Sequence, residues 1–197
     1  MDDPTRKQTF LDIYDDSMWL INLVENILSI SRIEDGRMNL SISTELVSEV
    51  FEEALRHTNR HSGQHTITVQ MDDDLLLAHM DAKLVVQVLI NLVDNAIKYT
   101  PAGSHIVLSA AAQGESAVIR VSDDGPGIPD EAKETVFEMF SSGEKRISDS
   151  RRSLGLGLAL CRTIIAAHGG TITLSDNKPH GCIFTFTLPL GEVSLHE

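Results

Sequence analysis

The spacing of apolar residues predicts one long helix at the start of the chain. Over residues 3–34, apolar side chains recur at helical intervals on two separate stripes. A helix with two apolar stripes buries two faces, as helices do in a bundle. One helix cannot form a bundle alone, so we expect partners from another chain or from sequence outside these 197 residues. Gly36 is the expected C-cap.

The rest of the chain alternates between strand and helix patterns. Period-two alternation predicts strands over residues 38–42, 65–71, 75–80, 106–112, 117–122, 171–174 and 183–188. Helical spacing predicts helices over residues 44–60, 82–100, 130–136 and 156–168, with Thr44 and Asp81 as N-caps of the first two. This order predicts an α+β domain, a two-layer α/β sandwich in which three helices cover one face of a mixed, mostly hairpin-connected sheet. The break near residues 36–44 divides the chain into a helical segment, 1–36, and the α+β domain, 37–197.

Composition excludes some partners. The formal net charge of −13 argues against a nucleic-acid partner or an anionic membrane, since either requires a basic face. Cys161 and Cys182 lack metal-ligand spacing and have apolar neighbours, which predicts buried free thiols in a reducing compartment. The sequence contains no apolar run long enough for a membrane span and no signal peptide. We therefore expect a cytoplasmic module, which can still be the soluble portion of a sensor anchored in the inner membrane.

The predicted helix over residues 82–100 has one polar stripe on an otherwise apolar surface. The stripe consists of Gln87, Asn91, Asp94, Asn95 and Lys98. Two amide oxygens and an ammonium in a row can hold a metal ion and a phosphate chain. From this helix alone, an ordinary solvent-facing stripe is an equally good interpretation.

Two glycine-bearing segments follow. In DDGPGIP (123–129), the glycines let the backbone approach a flat ligand, and the Asp123 carboxylate can accept a hydrogen bond from an exocyclic amine. In LGLGL (154–158), glycines at a helix start expose backbone N–H groups to a phosphate. Each segment alone also fits a simpler role, a tight turn for the first and close packing against a strand for the second.

Taken together and in this order, the motifs resemble the conserved boxes of a known protein family. NLVDNAIKYT, DDGPGIP, FEMF, LGLGLAL and GCIFTFTLP resemble the N, G1, F, G2 and G3 boxes of sensor histidine kinases, which have the Bergerat (GHKL) ATP-binding fold. The resemblance covers about residues 47–190. The leading helix, ending SRIEDGRMNL, is similar to the second helix of the dimerisation and phosphoacceptor domain. Within the family, the N and G2 boxes look most like those of the potassium-responsive Kdp-type sensor kinases.

The resemblance implies roles for individual residues. Asn95 would ligate Mg²⁺ with Asn91 in support, Lys98 would contact phosphate, and Tyr99 would line the pocket. Asp123 would bind the adenine amino group. Further ATP contacts are implied for Gly125, Gly127, Ile128, Phe140, Leu154, Gly155, Leu156, Gly157, Leu158 and Thr185.

The basic segment over residues 141–153 corresponds to the family's mobile lid. Lys145, Arg146, Arg151 and Arg152 are candidate phosphate clamps, with a solvated basic loop as the alternative. Ser153 stands where the family's G2 box usually opens with a further glycine, which puts the hinge of the lid in doubt.

Asn91 distinguishes kinases from hydrolytic members of the superfamily. Gyrase, Hsp90 and MutL carry a glutamate one turn before the metal-binding asparagine, whereas an amide cannot act as a base for water near neutral pH. The resemblance therefore implies transfer of the γ-phosphoryl group of ATP to a histidine, for relay to a response-regulator aspartate. In the longer protein it also implies a homodimer.

The acceptor histidine itself is not apparent in this sequence. The family's acceptor box has a histidine, an acid and then a proline, and none of the eight histidines has that context or lies in the leading helix. We expect ordinary surface or packing histidines, and a chain that does not autophosphorylate by itself. The alternatives are a nucleotide-binding or dimer-scaffold module without kinase activity, and a GHKL kinase acting on protein serine or threonine.

Overall fold

The computed structural model describes residues 3–34, 40–58, 64–141 and 155–191. Its helices are α1 (Asp3–Glu34), α2 (Val47–Thr58), α3 (Ala82–Tyr99), α4 (Asp130–Lys133) and α5 (Gly157–Ala167). Its strands are β1 (Ser43–Leu46), β2 (Thr66–Met71), β3 (Leu77–Met80), β4 (His105–Gln113), β5 (Ser116–Asp123), β6 (Ile172–Asp176) and β7 (Cys182–Pro189).

The strands form one large and one small sheet. The five-stranded sheet has the order β2-β4-β5-β7-β6, in which β2 and β4 are parallel and the other neighbours are antiparallel. β1 and β3 form a separate antiparallel pair. The tight β4–β5 hairpin turns at Gly114, whose φ of +60° suits a residue without Cβ. The prediction of an α+β fold with a mixed sheet is confirmed.

One face of the large sheet is buried beneath helices. Because side chains alternate along a strand, β4, β5 and β7 each send every second residue into the same layer. The apolar faces of α2, α3 and α5 cover that layer. The fully buried large residues include Phe51 of α2, Leu89 and Leu92 of α3, Ile106 and Leu108 of β4, Ile119 of β5, Leu160 and Ile164 of α5, and Phe186 of β7. The two-layer arrangement with three covering helices is therefore also as predicted.

A buried histidine links the ends of two covering helices. The Asp81 backbone N–H, at the N-cap of α3, donates to Nε2 of His168, at the C-cap of α5, over 3.0 Å. Nδ1 of the same ring donates to the Ile164 carbonyl at 2.7 Å. One ring nitrogen accepts and the other donates, which is the pattern of a neutral imidazole. The Asp81 carboxylate meanwhile accepts from Leu84 N–H at 3.4 Å, so its predicted capping role is confirmed.

The first strand and helix of the domain differ from the prediction. Residues 40–42 are not a strand; the strand is β1, which pairs with β3 through partners such as Leu46 and Leu77. Thr44 therefore lies inside β1 and caps no helix, and its hydroxyl contacts Nδ1 of His79 across the pair at 3.1 Å. The short helix α4 ends at Lys133, three residues earlier than the predicted end at residue 136.

Helix α1 places one side against the domain and leaves another exposed. Ile30 is buried, and Asn26 Oδ1 accepts from Gln87 Nε2 of α3 at 3.5 Å. The exposed apolar residues of α1 are Phe10, Ile13, Tyr14, Leu20, Ile21, Val24, Ile27 and Leu28. At 100° per residue they share one face, separate from the side that carries Asn26 and Ile30. This face contains members of both predicted stripes, such as Ile21 of one and Val24 of the other, so the burial of two faces of α1 remains a prediction.

The proposed division at residue 36 remains a prediction, because residues 35–39 lie outside the described part of the chain. Across the described residues, no helix combines the length and the apolar character that crossing a bilayer demands. Cys161 and Cys182 are both free and buried, as predicted.

Candidate functional site

The polar stripe of α3 divides into two parts in the structure. Gln87 bonds to Asn26, so this part of the stripe faces α1 and is not available to a ligand. Asn91, Asn95 and Lys98 are partly buried further along the helix. Tyr99 is 42% exposed, and its ring centroid lies 5.2 Å from the Lys98 ammonium. The candidate site therefore begins at Asn91.

Asn91 lies where α3 meets the start of α5. A Cβ built on Gly157 would be 3.6 Å from Asn91 Oδ1, an ordinary contact distance, so the two helices adjoin here. The Asn91 Nδ2 atom is buried and has no hydrogen-bond partner among the residues that the structure describes. Beneath it, the buried Cys161 thiol points its S–H at the Val88 carbonyl at 3.8 Å. Burial raises the pKa of Cys161 to about 12, although the adjacent Asn91 amide acts to lower it.

Asp123 ends β5 as a buried carboxylate with one oxygen already engaged. Its side chain is 7% exposed, and both Gly125 N–H (2.9 Å) and Cys182 N–H (3.3 Å) donate to Oδ1. The other oxygen, Oδ2, accepts no hydrogen bond from the described residues. Burial raises the pKa of Asp123, and the two backbone N–H groups only partly oppose that effect. A half-satisfied buried carboxylate is suited to accept a hydrogen bond from a ligand amine.

The loop after Asp123 packs directly on the end of α3. A Cβ on Gly125 would lie 2.5 Å from Thr100 Cγ2, so a side chain there would displace the Thr100 side chain. Gly127 has a φ of +77°, and Ile128 packs against the core. The N and G1 segments therefore form one continuous wall.

The F and G2 segments meet at their backbones. Gly155 has a φ of +68°, and a Cβ there would lie 2.9 Å from Ser141 N. Phe140, next to it, has a positive φ of 63° and a side chain that is 61% exposed. Leu156 is buried, and Leu158 is partly buried and packs against the core. Leu154, Lys145, Arg146, Arg151 and Arg152 lie outside the described residues, and their proposed roles remain predictions.

Thr185 is not brought into this cluster. It pairs with Arg120 and Thr173, and it lies on the opposite face of the sheet from Phe184 and Phe186. The residue of β7 that reaches Asp123 is Cys182, which the sequence reasoning missed. The contact is made by the backbone N–H of Cys182, so the alternation of side chains along the strand carries no signal for it.

Burial and the Asp123 carboxylate raise the Cys182 pKa to about 11, so the thiol is protonated near neutral pH.

The described residues contain no group of three or more histidine, cysteine or acidic side chains able to hold a metal ion. The neutral oxygens of Asn91 and Asn95 are hard ligands of the kind that Mg²⁺ accepts beside substrate phosphates. The donor set therefore fits a metal ion that binds together with a polyphosphate.

A family model for histidine kinase-, DNA gyrase B- and HSP90-like ATPases matches residues 80–192, from the end of β3 through β7. The chain belongs to this family. Its match contains the whole cluster of α3, the loop after β5 and the start of α5.

Among its relatives in this ATPase family, the sensor protein KdpD of Clostridium acetobutylicum is 39% identical over 95% of this chain. The chain spans 21% of that relative's length. The Acinetobacter baumannii histidine kinase AdeS superposes with a TM-score of 0.76 at 26% identity, over 93% of this chain and 84% of that one. Histidine kinase ThkA, solved in complex with the response regulator protein TrrA, gives a TM-score of 0.73 at 25% identity, over 97% of this chain and 53% of that one. The fold is that of histidine kinase catalytic domains, as the motifs predicted.

Proposed function

We propose that this chain is the ATP-binding catalytic part of a two-component sensor histidine kinase. It would transfer the γ-phosphoryl group of ATP to a histidine presented by a partner helix, for relay to a response-regulator aspartate. The carrying observation is Asp123, a buried carboxylate with one free oxygen, in a wall continuous with the amide stripe of α3. The family match and the kinase relatives support the same assignment.

Different residues of the site bind the adenine and the phosphates. Asp123 Oδ2 accepts a hydrogen bond from the exocyclic amine of adenine, while Gly125 and Gly127 keep the loop close to the ring. Along α3 itself, Asn91, Asn95 and Lys98 face the phosphates. Asn95, supported by Asn91, would hold Mg²⁺, which neutralises charge on the phosphate oxygens when it is bound.

Asn91 also determines what the site does not do. A carboxamide cannot remove a proton from water near neutral pH, so the site orients the phosphates without activating water. Catalysis by such a site consists of positioning and charge neutralisation for a delivered nucleophile. A histidine imidazole on another helix is that nucleophile in our proposal.

The remaining partners follow from the exposed face of α1. Eight large apolar residues on one helical face predict a helical partner, and we propose the homodimer and the phosphoacceptor helix of the longer protein. A response regulator as the downstream partner is supported by the complex of ThkA with TrrA. The net charge of −13 supports the absence of a nucleic-acid partner. We propose a cytoplasmic site of action for this module.

The test combines nucleotide binding with phosphoryl transfer. The 197-residue chain should bind Mg²⁺-ATP in a calorimetric titration, and should label an acceptor helix from the cognate protein with acid-labile, alkali-stable phosphate. Asn95→Ala should abolish labelling, whereas Gln70→Ala, which removes an exposed amide from the far face of β2, should not. Binding without labelling of any acceptor would favour a non-catalytic module, and labelling of serine or threonine would favour the other kinase class.

A further inference from the structure

The turn between β6 and β7 is bonded to the loop that carries Asp123. Asn177 Nδ2 donates to the Asp123 carbonyl oxygen at 2.8 Å. His180 Nδ1 lies 3.1 Å from the Gly125 carbonyl oxygen, and it must be the donor because a carbonyl only accepts. Two side chains from one turn therefore bind two backbone positions of the Asp123 loop.

Asn177 is itself held in a single orientation. Its backbone N–H donates to the Gly181 carbonyl at 3.0 Å, and its Oδ1 accepts from Lys178 N–H at 2.9 Å. With the side-chain oxygen engaged inside the turn, the amide nitrogen is directed at Asp123. This hydrogen-bond network, and not the shape of the side chain, decides which end of the Asn177 amide is the oxygen and which is the nitrogen.

The two segments also touch at their backbones. A Cβ built on Gly181 would fall 2.0 Å from the Asp123 carbonyl oxygen, and Gly181 has a φ of +114°. The next residue, Cys182, supplies one of the two N–H groups that donate to Asp123 Oδ1. The turn and the loop therefore form one unit, in which each segment contributes one donor to the carboxylate.

We propose that Asn177 and His180 are positioning residues that set the direction of the free Asp123 oxygen, and with it the preference for a 6-amino purine. The inference rests on the proposed nucleotide-binding function. Gly125 N–H and Cys182 N–H fix Oδ1 only while their segments stay in register, and Asn177 and His180 tie those segments together. When the ties are removed, the carboxylate loses its fixed orientation and the adenine amine loses a well-aligned acceptor.

The experiment compares ATP with inosine triphosphate, in which a carbonyl oxygen replaces the purine amine. The wild-type chain should prefer ATP. Asn177→Ala should weaken ATP binding by about tenfold, as expected for one lost hydrogen bond, and leave inosine triphosphate binding nearly unchanged. Asn177→Asp should show the same loss, because an ionised carboxylate of the same size cannot donate. His180→Ala should shift the preference in the same direction.

Two controls separate positioning from folding. Lys178→Ala, an exposed side chain in the same turn, should retain the wild-type preference. Asn95→Ala acts at the phosphate end and should weaken both nucleotides equally. Equal losses for both nucleotides in Asn177→Ala, or an unchanged preference, would overturn the inference and leave the proposed function in place. A wild-type chain that binds neither nucleotide would refute the proposed function as well.

Discussion

Replacing Asp123 by asparagine should stabilise the fold and weaken nucleotide binding at the same time. Burial raises the pKa of this carboxyl group above its ordinary 3.8, so ionising it in the folded chain costs folding free energy. An asparagine keeps one oxygen for the Gly125 and Cys182 N–H groups and carries no charge. The free energy of unfolding of Asp123→Asn should therefore exceed that of the wild type at neutral pH.

The sign of the pH dependence follows from the direction of the shift. Between the unfolded and the folded pKa of Asp123, the folded chain binds more protons than the unfolded chain, so wild-type stability falls as pH rises. Asp123→Asn lacks this proton. Its stability advantage should grow from pH 3.8 upward and level off above the folded pKa.

The binding penalty comes from the unengaged oxygen. With Oδ1 occupied by two N–H donors, the asparagine NH₂ takes the place of Oδ2 and faces the adenine amine donor to donor. A lost hydrogen bond to a charged acceptor costs about 1.5–3 kcal/mol, which weakens ATP about ten- to 150-fold.

Urea unfolding across a pH series and ATP calorimetry measure both effects. The neighbouring substitution Asp124→Asn is the control, because we expect it to change the free energy of unfolding in the opposite direction. Burial raises the pKa of Asp124, but hydrogen bonds from the His105 backbone (2.9 Å) and ring (3.1 Å) hold it below its ordinary value. Asp124→Asn should be less stable than the wild type near neutral pH and approach it as pH falls. An Asp123→Asn chain that is less stable at neutral pH, or that binds ATP normally, would refute the reasoning.

Three further predictions concern the frame of the site. Gly155→Ala should lose about 1–3 kcal/mol of unfolding free energy, because its φ is +68° and its Cβ would meet Ser141 N. Gly114→Ala has a similar φ in open space, so a loss as large there would refute the contact argument. His168→Ala should lower the free energy of urea unfolding by about 2–4 kcal/mol through two broken buried hydrogen bonds, whereas the exposed His57→Ala should change it by under about 0.5 kcal/mol. Titration with Mg²⁺ should give calorimetric heat only when ATP is present, and tight metal binding to the nucleotide-free chain would contradict the site as assigned.

Elements with a strong local signal were predictable from sequence. α3 combines a long apolar run with the Asp81 cap, and α5 begins at glycines and ends before Gly169. In both helices, the spacing of apolar residues and the residues that start or end a helix predict the same element. β1 was misplaced because its existence depends on pairing with β3, which lies 31 to 37 residues away along the chain. A two-stranded pairing of this kind leaves no periodic trace in four residues.

The residues that hold the site in position could not be predicted from the sequence for a related reason. Asn177 reaches Asp123 across 54 residues, and His168 reaches Asp81 across 87. No spacing rule connects such pairs, since the fold alone brings them together. The order of the motifs identifies the residues that face a ligand, whereas tertiary contacts identify the residues that hold them in position.

Three features that oppose folding stability lie around the end of α3 and the segments against it. Within the described part of the chain, Asp123 is a buried carboxylate with one unused oxygen, Asn91 has a buried amide nitrogen without a partner, and Phe140 has a positive φ. Folds retain such costs mainly at functional sites, where a ligand relieves them. ATP binding should therefore stabilise the wild-type chain more than Asp123→Asn at the same nucleotide concentration, because stabilisation grows with the logarithm of the nucleotide concentration divided by the dissociation constant. Asp123→Asn should therefore be more stable than the wild type without nucleotide and should gain less stability when nucleotide is added. Repair of a mere packing defect would leave the gain from nucleotide unchanged, so the two measurements together identify Asp123 as a binding group.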